Sequence, residues 1–196
     1  MNDHKGFFAM MARMKYIERW ALMRNSMSEN ICEHSLEVAM LAHGLGIIGR
    51  KRFGKDLSPE RLAMLGMYHD CTEIITGDMP TPVKYANDEL KEAYKAIEDS
   101  AAHRLLEMLP EDLRAEYESY FLPEQITPEE YRYVKAADKL SALIKCIEEE
   151  KTGNQEFRSA KQATYESLQQ MNMPEVTVFC EVFLLEYYKT LDELEH

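Results

Sequence analysis

The sequence predicts an all-α fold. Helix-start signals recur from end to end of the 196-residue chain, and no segment alternates polar and apolar residues with the period of a strand. Glycine and proline, at 8 and 7 residues, are too scarce for a turn-rich β architecture. An apolar fraction of 45% over this length suits one core, so residues 1–196 are read as a single helical domain.

The elements follow in order. A first helix covers about Phe7 to Ile17. Asn30 with Glu33 forms a capping box opening a helix toward Gly49. Ser58-Pro59-Glu60 supplies a cap and a first-turn proline for a helix predicted to continue to Gly77. A strongly charged helix starts at Asn87 or Asp88 and stops at Pro110. Thr127-Pro128-Glu129-Glu130 is a second capping box, whose helix runs to about Lys151. A last long helix follows Met173-Pro174-Glu175 and ends near the C-terminus. There is no repeat, low-complexity tract or linker.

Composition removes several classes of function. A net charge of −12 repels polyanions, which argues against a nucleic-acid polymer as partner. A small phosphorylated substrate stays possible, given local cations. No stretch approaches the length of a membrane span, and the N-terminus lacks a signal-peptide pattern. Cys32, Cys71, Cys146 and Cys180 form no Cys-x-x-Cys pair, which points to reduced thiols in a cytoplasm.

Helical periodicity places candidate residues. His34 shares a stripe with Ile31, Val38, Leu41, Leu45 and Ile48, and so faces the core. On a continuous second helix, Glu73 falls in angle between His69 and Asp70, on the side of Leu62, Leu65 and Gly66. Burying an imidazole beside two carboxylates is costly unless something compensates, and a divalent cation does so directly. Asp138 lies roughly opposite the main apolar face of its helix, beside a weaker one, and periodicity does not select it.

The sharpest motif is Tyr68-His69-Asp70-Cys71-Thr72-Glu73. Adjacent His and Asp can chelate one metal, with Glu73 placed to act on bound water. A His-Asp dipeptide also arises readily by chance, and a buried histidine bonded to its neighbours is the alternative. The core-facing His34 shifts that balance. Gly44-Leu45-Gly46-Ile47-Ile48-Gly49 matches the dinucleotide-binding pattern, but it closes a helix instead of opening one after a strand. These glycines are therefore read as close helix contacts or a helix end. His4, His43, His103 and His196 are read as surface or satisfied residues. The proline-punctuated loop Thr76 to Tyr85 offers Asp78, Thr81 and Lys84 beside the candidate site, or is a plain connector. Trp20 is either core or pocket wall, and Arg19 beside it can make bidentate contacts to phosphate.

His34, His69-Asp70 and Asp138 in a helical chain resemble the H…HD…D signature of the HD-domain metal phosphohydrolases. The signature region spans about 30–142. Closer still is a resemblance to the bacterial 5′-deoxynucleotidases of the YfbR type. It is carried by Arg19-Trp20 with Leu22-Met23-Arg24-Asn25, by Glu29-Asn30 with Glu33-His34-Ser35-Leu36, and by Met67-Tyr68-His69-Asp70 with Glu73. Thr76-Gly77-Asp78 with Pro80-Thr81-Pro82-Val83-Lys84-Tyr85, and Val134-Lys135 with Ala137-Asp138, complete it. The chain departs from that pattern at Cys71-Thr72, in place of small Ala-Ser residues, and at Ala21, in place of a proline.

The resemblance implies the single-domain helical HD phosphohydrolase fold and hydrolysis of deoxyribonucleoside 5′-monophosphates to deoxynucleoside and phosphate. It implies one divalent metal on His34, His69, Asp70 and Asp138, and a mixed N/O set of this kind suits Co, Mn, Fe or Zn. Glu73 is implied in acid-base catalysis and Arg19 in orienting the phosphate. Trp20 and the run Asp78, Met79, Pro80, Thr81 are implied in holding the sugar and the leaving oxygen. A cytoplasmic homodimer is implied too. Two other readings stand beside it: an HD enzyme acting on a triphosphate, alarmone or cyclic dinucleotide, and a non-catalytic helical module.

Overall fold

The computed structural model describes residues 5–84 and 86–195, so His4, Tyr85 and His196 lie outside the described residues. Among the described residues there is no strand, and one antiparallel bridge joins Glu18 to Asn30. The helices are α1 (Phe7–Met11), α2 (Ile31–Phe53), α3 (Pro59–Tyr68), α4 (Glu73–Thr76), α5 (Thr81–Lys84), α6 (Asp88–Leu106) and α7 (Glu111–Phe121). They continue with α8 (Pro128–Lys151), α9 (Arg158–Gln170), α10 (Pro174–Val182) and α11 (Leu191–Leu194).

Most predicted starts are observed, because local side chains supply them. Asn30 and Thr127 close complete capping boxes, Ser58 accepts from the Arg61 amide, and Asn87 accepts from that of Leu90. The ends differ more. The first helix tightens into a 3₁₀ turn at Ala12–Tyr16. The second continues past Gly49 to Phe53, where Gly54 takes the left-handed conformation (φ 65°) that terminates it. The last long helix breaks at Phe183 into a 3₁₀ turn, Leu184–Tyr188, and then α11. Helices α7 and α9 are elements that sequence reading left out, and α5 is one helical turn inside the segment it read as a loop.

α2 packs against α3, α8 and α10, and α8 also packs against α9. One apolar cluster joins Val38, Leu41 and Leu45 of α2 to Leu62 of α3 and to Tyr133, Leu140, Ile144 and Ile147 of α8. A second joins Phe7, Met14, Ile31, Cys71, Leu105 and Phe121. α2 enters both, through Ile31 and through Val38. Contrary to the sequence expectation, α2 is long and apolar enough, by length and composition, to cross a membrane. It owes that character to its place at the centre of the packing, with Ile31, Val38 and Leu45 fully buried. Gly46 and Gly49 are close contacts, since an added Cβ would meet Leu62 at 2.9 Å and Tyr133 at 2.8 Å.

Candidate functional site

The seam between the two clusters is polar. His34 sits on α2 one turn after Ile31 and one before Val38, with no exposed surface. α3 stops at Tyr68, so His69 and Asp70 occupy a tight turn and not the continuous helix expected. Bonds from Cys71 N to Tyr68 O (3.2 Å) and from Glu73 N to Asp70 O (3.0 Å) hold that turn before α4 begins. The break has a purpose that geometry explains. Adjacent helical residues point about 100° apart, whereas the turn brings His69 Nε2 within 3.1 Å of Asp70 Oδ2.

His34 Nε2 lies 3.4 Å from Asp70 Oδ2 and 3.3 Å from Asp138 Oδ1, and His69 Nε2 lies 4.0 Å from the same Asp138 oxygen. Two ligands bound at about 2.1 Å and separated by 90–110° lie roughly 3.0–3.4 Å apart. The spacing therefore fits a shared cation. Both Nε2 atoms are buried with no hydrogen-bond partner, which is the condition a bound cation relieves. His34, His69 and Asp70 could hold a metal ion, their donor atoms all falling within 4.8 Å of one another. Asp138, which periodicity did not select, faces this group from α8, and its other oxygen is 3.5 Å from Lys135 Nζ.

Electrostatics follow from that crowding. Burial opposes ionisation of Asp70, but the His69 and His34 imidazoles outweigh it and hold the carboxyl well below its usual range. Burial likewise opposes Asp138, and Lys135 and His34 more than offset it. Glu73 is different. Burial first, then the charges of Asp70 and Asp78, push its carboxyl up to about 10. It is 6% exposed and its Oε2 has no partner.

Arg19 closes one side. Its guanidinium sits 3.3 Å from both Glu29 oxygens and 2.6 Å from His34 Nδ1. Burial acts against its charge, but Glu29, Asp138, Asp70 and Asp78 together raise its pKa further. Trp20 donates from Nε1 to Glu29 Oε2 at 2.7 Å and packs its ring 5.2 Å from Phe157. Its backbone is left-handed (φ 61°), a strain of about 1–3 kcal/mol for a bulky residue. The strand-like crossing of Arg19 N to Glu29 O and Ile31 N to Ile17 O holds this segment in place. So does buried Glu149, which accepts from Ser26 N, Lys145 and Asn154 at 2.6–2.8 Å.

The segment after α4, which includes α5, is pinned to α6. Tyr94 donates toward Gly77 O, and Lys84 pairs with Glu98 at 2.8 Å. Lys84 is thus an anchor more than a spare cation. Burial pushes the Asp78 carboxyl up, and the charge of Arg19 opposes that. Among the described residues, the side chains of Met79, Pro80 and Thr81 make no hydrogen bond or ion pair to the ligand group. Sequence reasoning gave no role to Glu29, Ser141, Glu37 or Glu149. Each has a partner ten or more residues away, beyond the reach of helical periodicity. Of the histidines set aside, His103 bonds to Asp99 O and His43 is half-buried. All four cysteines are free thiols. A cleft of about 960 Å³ lined by Tyr16 and Arg104 includes none of these site residues.

Comparison with known proteins gives three results. Residues 6–187 match the family described as 5′-deoxynucleotidase YfbR-like. A curated relative from Vibrio cholerae serotype O1, named 5′-deoxynucleotidase, is 47% identical over 188 residues, covering 96% of this chain and 97% of its own. Among solved structures, an HD-domain phosphohydrolase from Listeria innocua superposes with a TM-score of 0.80 at 22% identity, covering 92% of this chain and 87% of its own. The cyanophage S-2L HD phosphohydrolase DatZ, bound to dA and one catalytic Zn²⁺, superposes at 0.62 and 22% identity, covering 94% and 96%.

Proposed function

Because the chain belongs to the YfbR-like 5′-deoxynucleotidase family, we propose that it hydrolyses deoxyribonucleoside 5′-monophosphates to deoxynucleoside and phosphate at the His34–His69–Asp70–Asp138 group. The observation that carries this reading is the convergence of two buried, unpartnered imidazole Nε2 atoms on two carboxylates, beside the half-buried Arg19. Residues 1–196 act as one HD domain, with the signature region at about 30–142. The exchange of α2 between both apolar clusters supports that.

His34, His69, Asp70 and Asp138 would hold one divalent ion, of Co, Mn, Fe or Zn. Such an ion would neutralise phosphoryl charge and make water at the site more acidic. With a bound cation offsetting the charges of Asp70 and Asp78 that hold its carboxyl up, Glu73 would orient or deprotonate the attacking water; its buried, unpartnered oxygen supports that role. Arg19 orients the phosphate through its guanidinium fork. Trp20, held by Glu29 and Phe157, walls the sugar side together with Asp78, Met79, Pro80 and Thr81. A pocket that leaves no room for a 2′-hydroxyl would supply the preference for deoxyribose. The resemblance further supports a cytoplasmic homodimer, and the four free thiols agree with that compartment.

A screen of deoxy- and ribonucleoside mono- and triphosphates against several divalent ions tests the reading. Phosphate release from deoxynucleoside monophosphates alone is expected. Equal cleavage of the ribonucleotides would overturn the specificity, and no metal binding by titration would leave a non-catalytic module.

A further inference from the structure

We propose that Ser141 and Glu37 are positioning residues that set the tautomer of His34, turning its Nε2 lone pair toward the metal. The inference rests on His34 being a metal ligand, as read above. Ser141 Oγ lies 2.9 Å from His34 Nδ1 and donates to Glu37 Oε2 at 2.5 Å. A serine hydroxyl carries one hydrogen. With that hydrogen given to the Glu37 carboxylate, the oxygen can only accept from Nδ1. Nδ1 therefore carries the imidazole hydrogen, and Nε2 is left as a lone pair directed at Asp70 and Asp138. His34 and Ser141 both have no exposed surface, so water cannot stand in for either. The relay crosses from α2 to α8, and Ser141 lies one turn after Asp138 on that helix.

A competing contact makes the relay necessary. Arg19 Nη1 lies 2.6 Å from the same Nδ1, and a guanidinium can only donate. That contact demands the opposite tautomer, with hydrogen on Nε2, where it would block a cation. The two arrangements exclude each other. Ser141 with Glu37 favours the metal-competent one, and its adoption releases Arg19 from the imidazole for other acceptors.

The test measures Mn²⁺ affinity by titration calorimetry on the full chain, alongside the tautomer of His34 by long-range ¹H–¹⁵N spectra of metal-free protein. Ser141→Ala is expected to bind Mn²⁺ about 10–100-fold more weakly and to shift His34 toward the Nε2–H form. Glu37→Ala should weaken binding as well, because the Ser141 hydroxyl is then able to turn its hydrogen onto Nδ1. Ser141→Thr, which keeps the hydroxyl, should restore affinity to near the wild-type value. Wild-type affinity and tautomer in both Ser141→Ala and Glu37→Ala would overturn the positioning role alone. Absence of Mn²⁺ binding by the wild-type chain would overturn the metal reading and this inference with it. If Ser141→Ala does not fold, Glu37→Ala, at a half-buried position, decides the matter by the same two readouts.

Discussion

His69 donates its Nδ1 hydrogen to the carbonyl of Gly66 at 2.7 Å, one turn back along the chain. A carbonyl only accepts, so this bond fixes the tautomer and leaves Nε2 as the lone-pair nitrogen facing the carboxylates. Gly66 does a second thing there. A Cβ on it would come 3.1 Å from the backbone of Val38 and Ala39, so α3 lies against α2 only because the side chain is missing.

Gly66→Ala should therefore force the two helices apart, costing about 1–3 kcal/mol by overpacking, and should weaken metal binding by displacing His69. Gly44→Ala is the internal control. Nothing lies within 4 Å of its added Cβ, so it should stabilise α2 by up to about 1 kcal/mol. Thermal unfolding of both variants checks the pair, and equal melting temperatures would contradict it.

Asp138 tests the cross-helix ligand. Asp138→Ala should lower metal affinity by more than tenfold and abolish turnover. Its fold should survive, because the side chain has about a quarter of its surface open (24%). Competition with a chelator reads the affinity; an unchanged value would remove Asp138 from the ligand set.

Glu73→Ala separates chemistry from stability. Loss of the proton-handling group should cut turnover by about 10²–10⁴-fold while metal content stays at the wild-type level. The variant should unfold at the same temperature or higher, since a buried carboxyl oxygen without a partner is removed. Full activity would refute the assigned role.

Glu149 carries a pH prediction. Burial works against its charge, but Lys145, Asn154 and Ser26 hold its carboxyl at about 2, against an ordinary value of 4.5. A depressed carboxyl stabilises the fold above its unfolded pKa, and the contribution is lost as pH falls from about 4.5 toward 2. At neutral pH it amounts to on the order of 3 kcal/mol. Glu149→Gln should lower stability at pH 7 by an amount of that order, and the gap to wild type should narrow below pH 4. Urea unfolding across that range measures it. The 19–29 segment, which Glu149 holds through Ser26, should loosen in the same variant, raising KM more than it lowers kcat.

The sequence by itself determined the helix starts, since Asn30, Ser58, Asn87 and Thr127 act on amides two or three residues away. It also placed His34 on the buried stripe of α2, because a long regular helix keeps its period. Tertiary structure decided the rest. The wheel that put His69, Asp70 and Glu73 on one face assumed a helix that in fact ends at Tyr68. The turn replacing it depends on α3 lying against α2 at Gly66. Asp138 faces away from its helix's apolar stripe, and what it faces is supplied by α2 and by the turn after α3. Glu29, Ser141, Glu37 and Glu149 each bond to at least one partner ten to more than a hundred residues away. Local preference reaches only about one helical turn, so contacts at that distance exist only once the helices have packed.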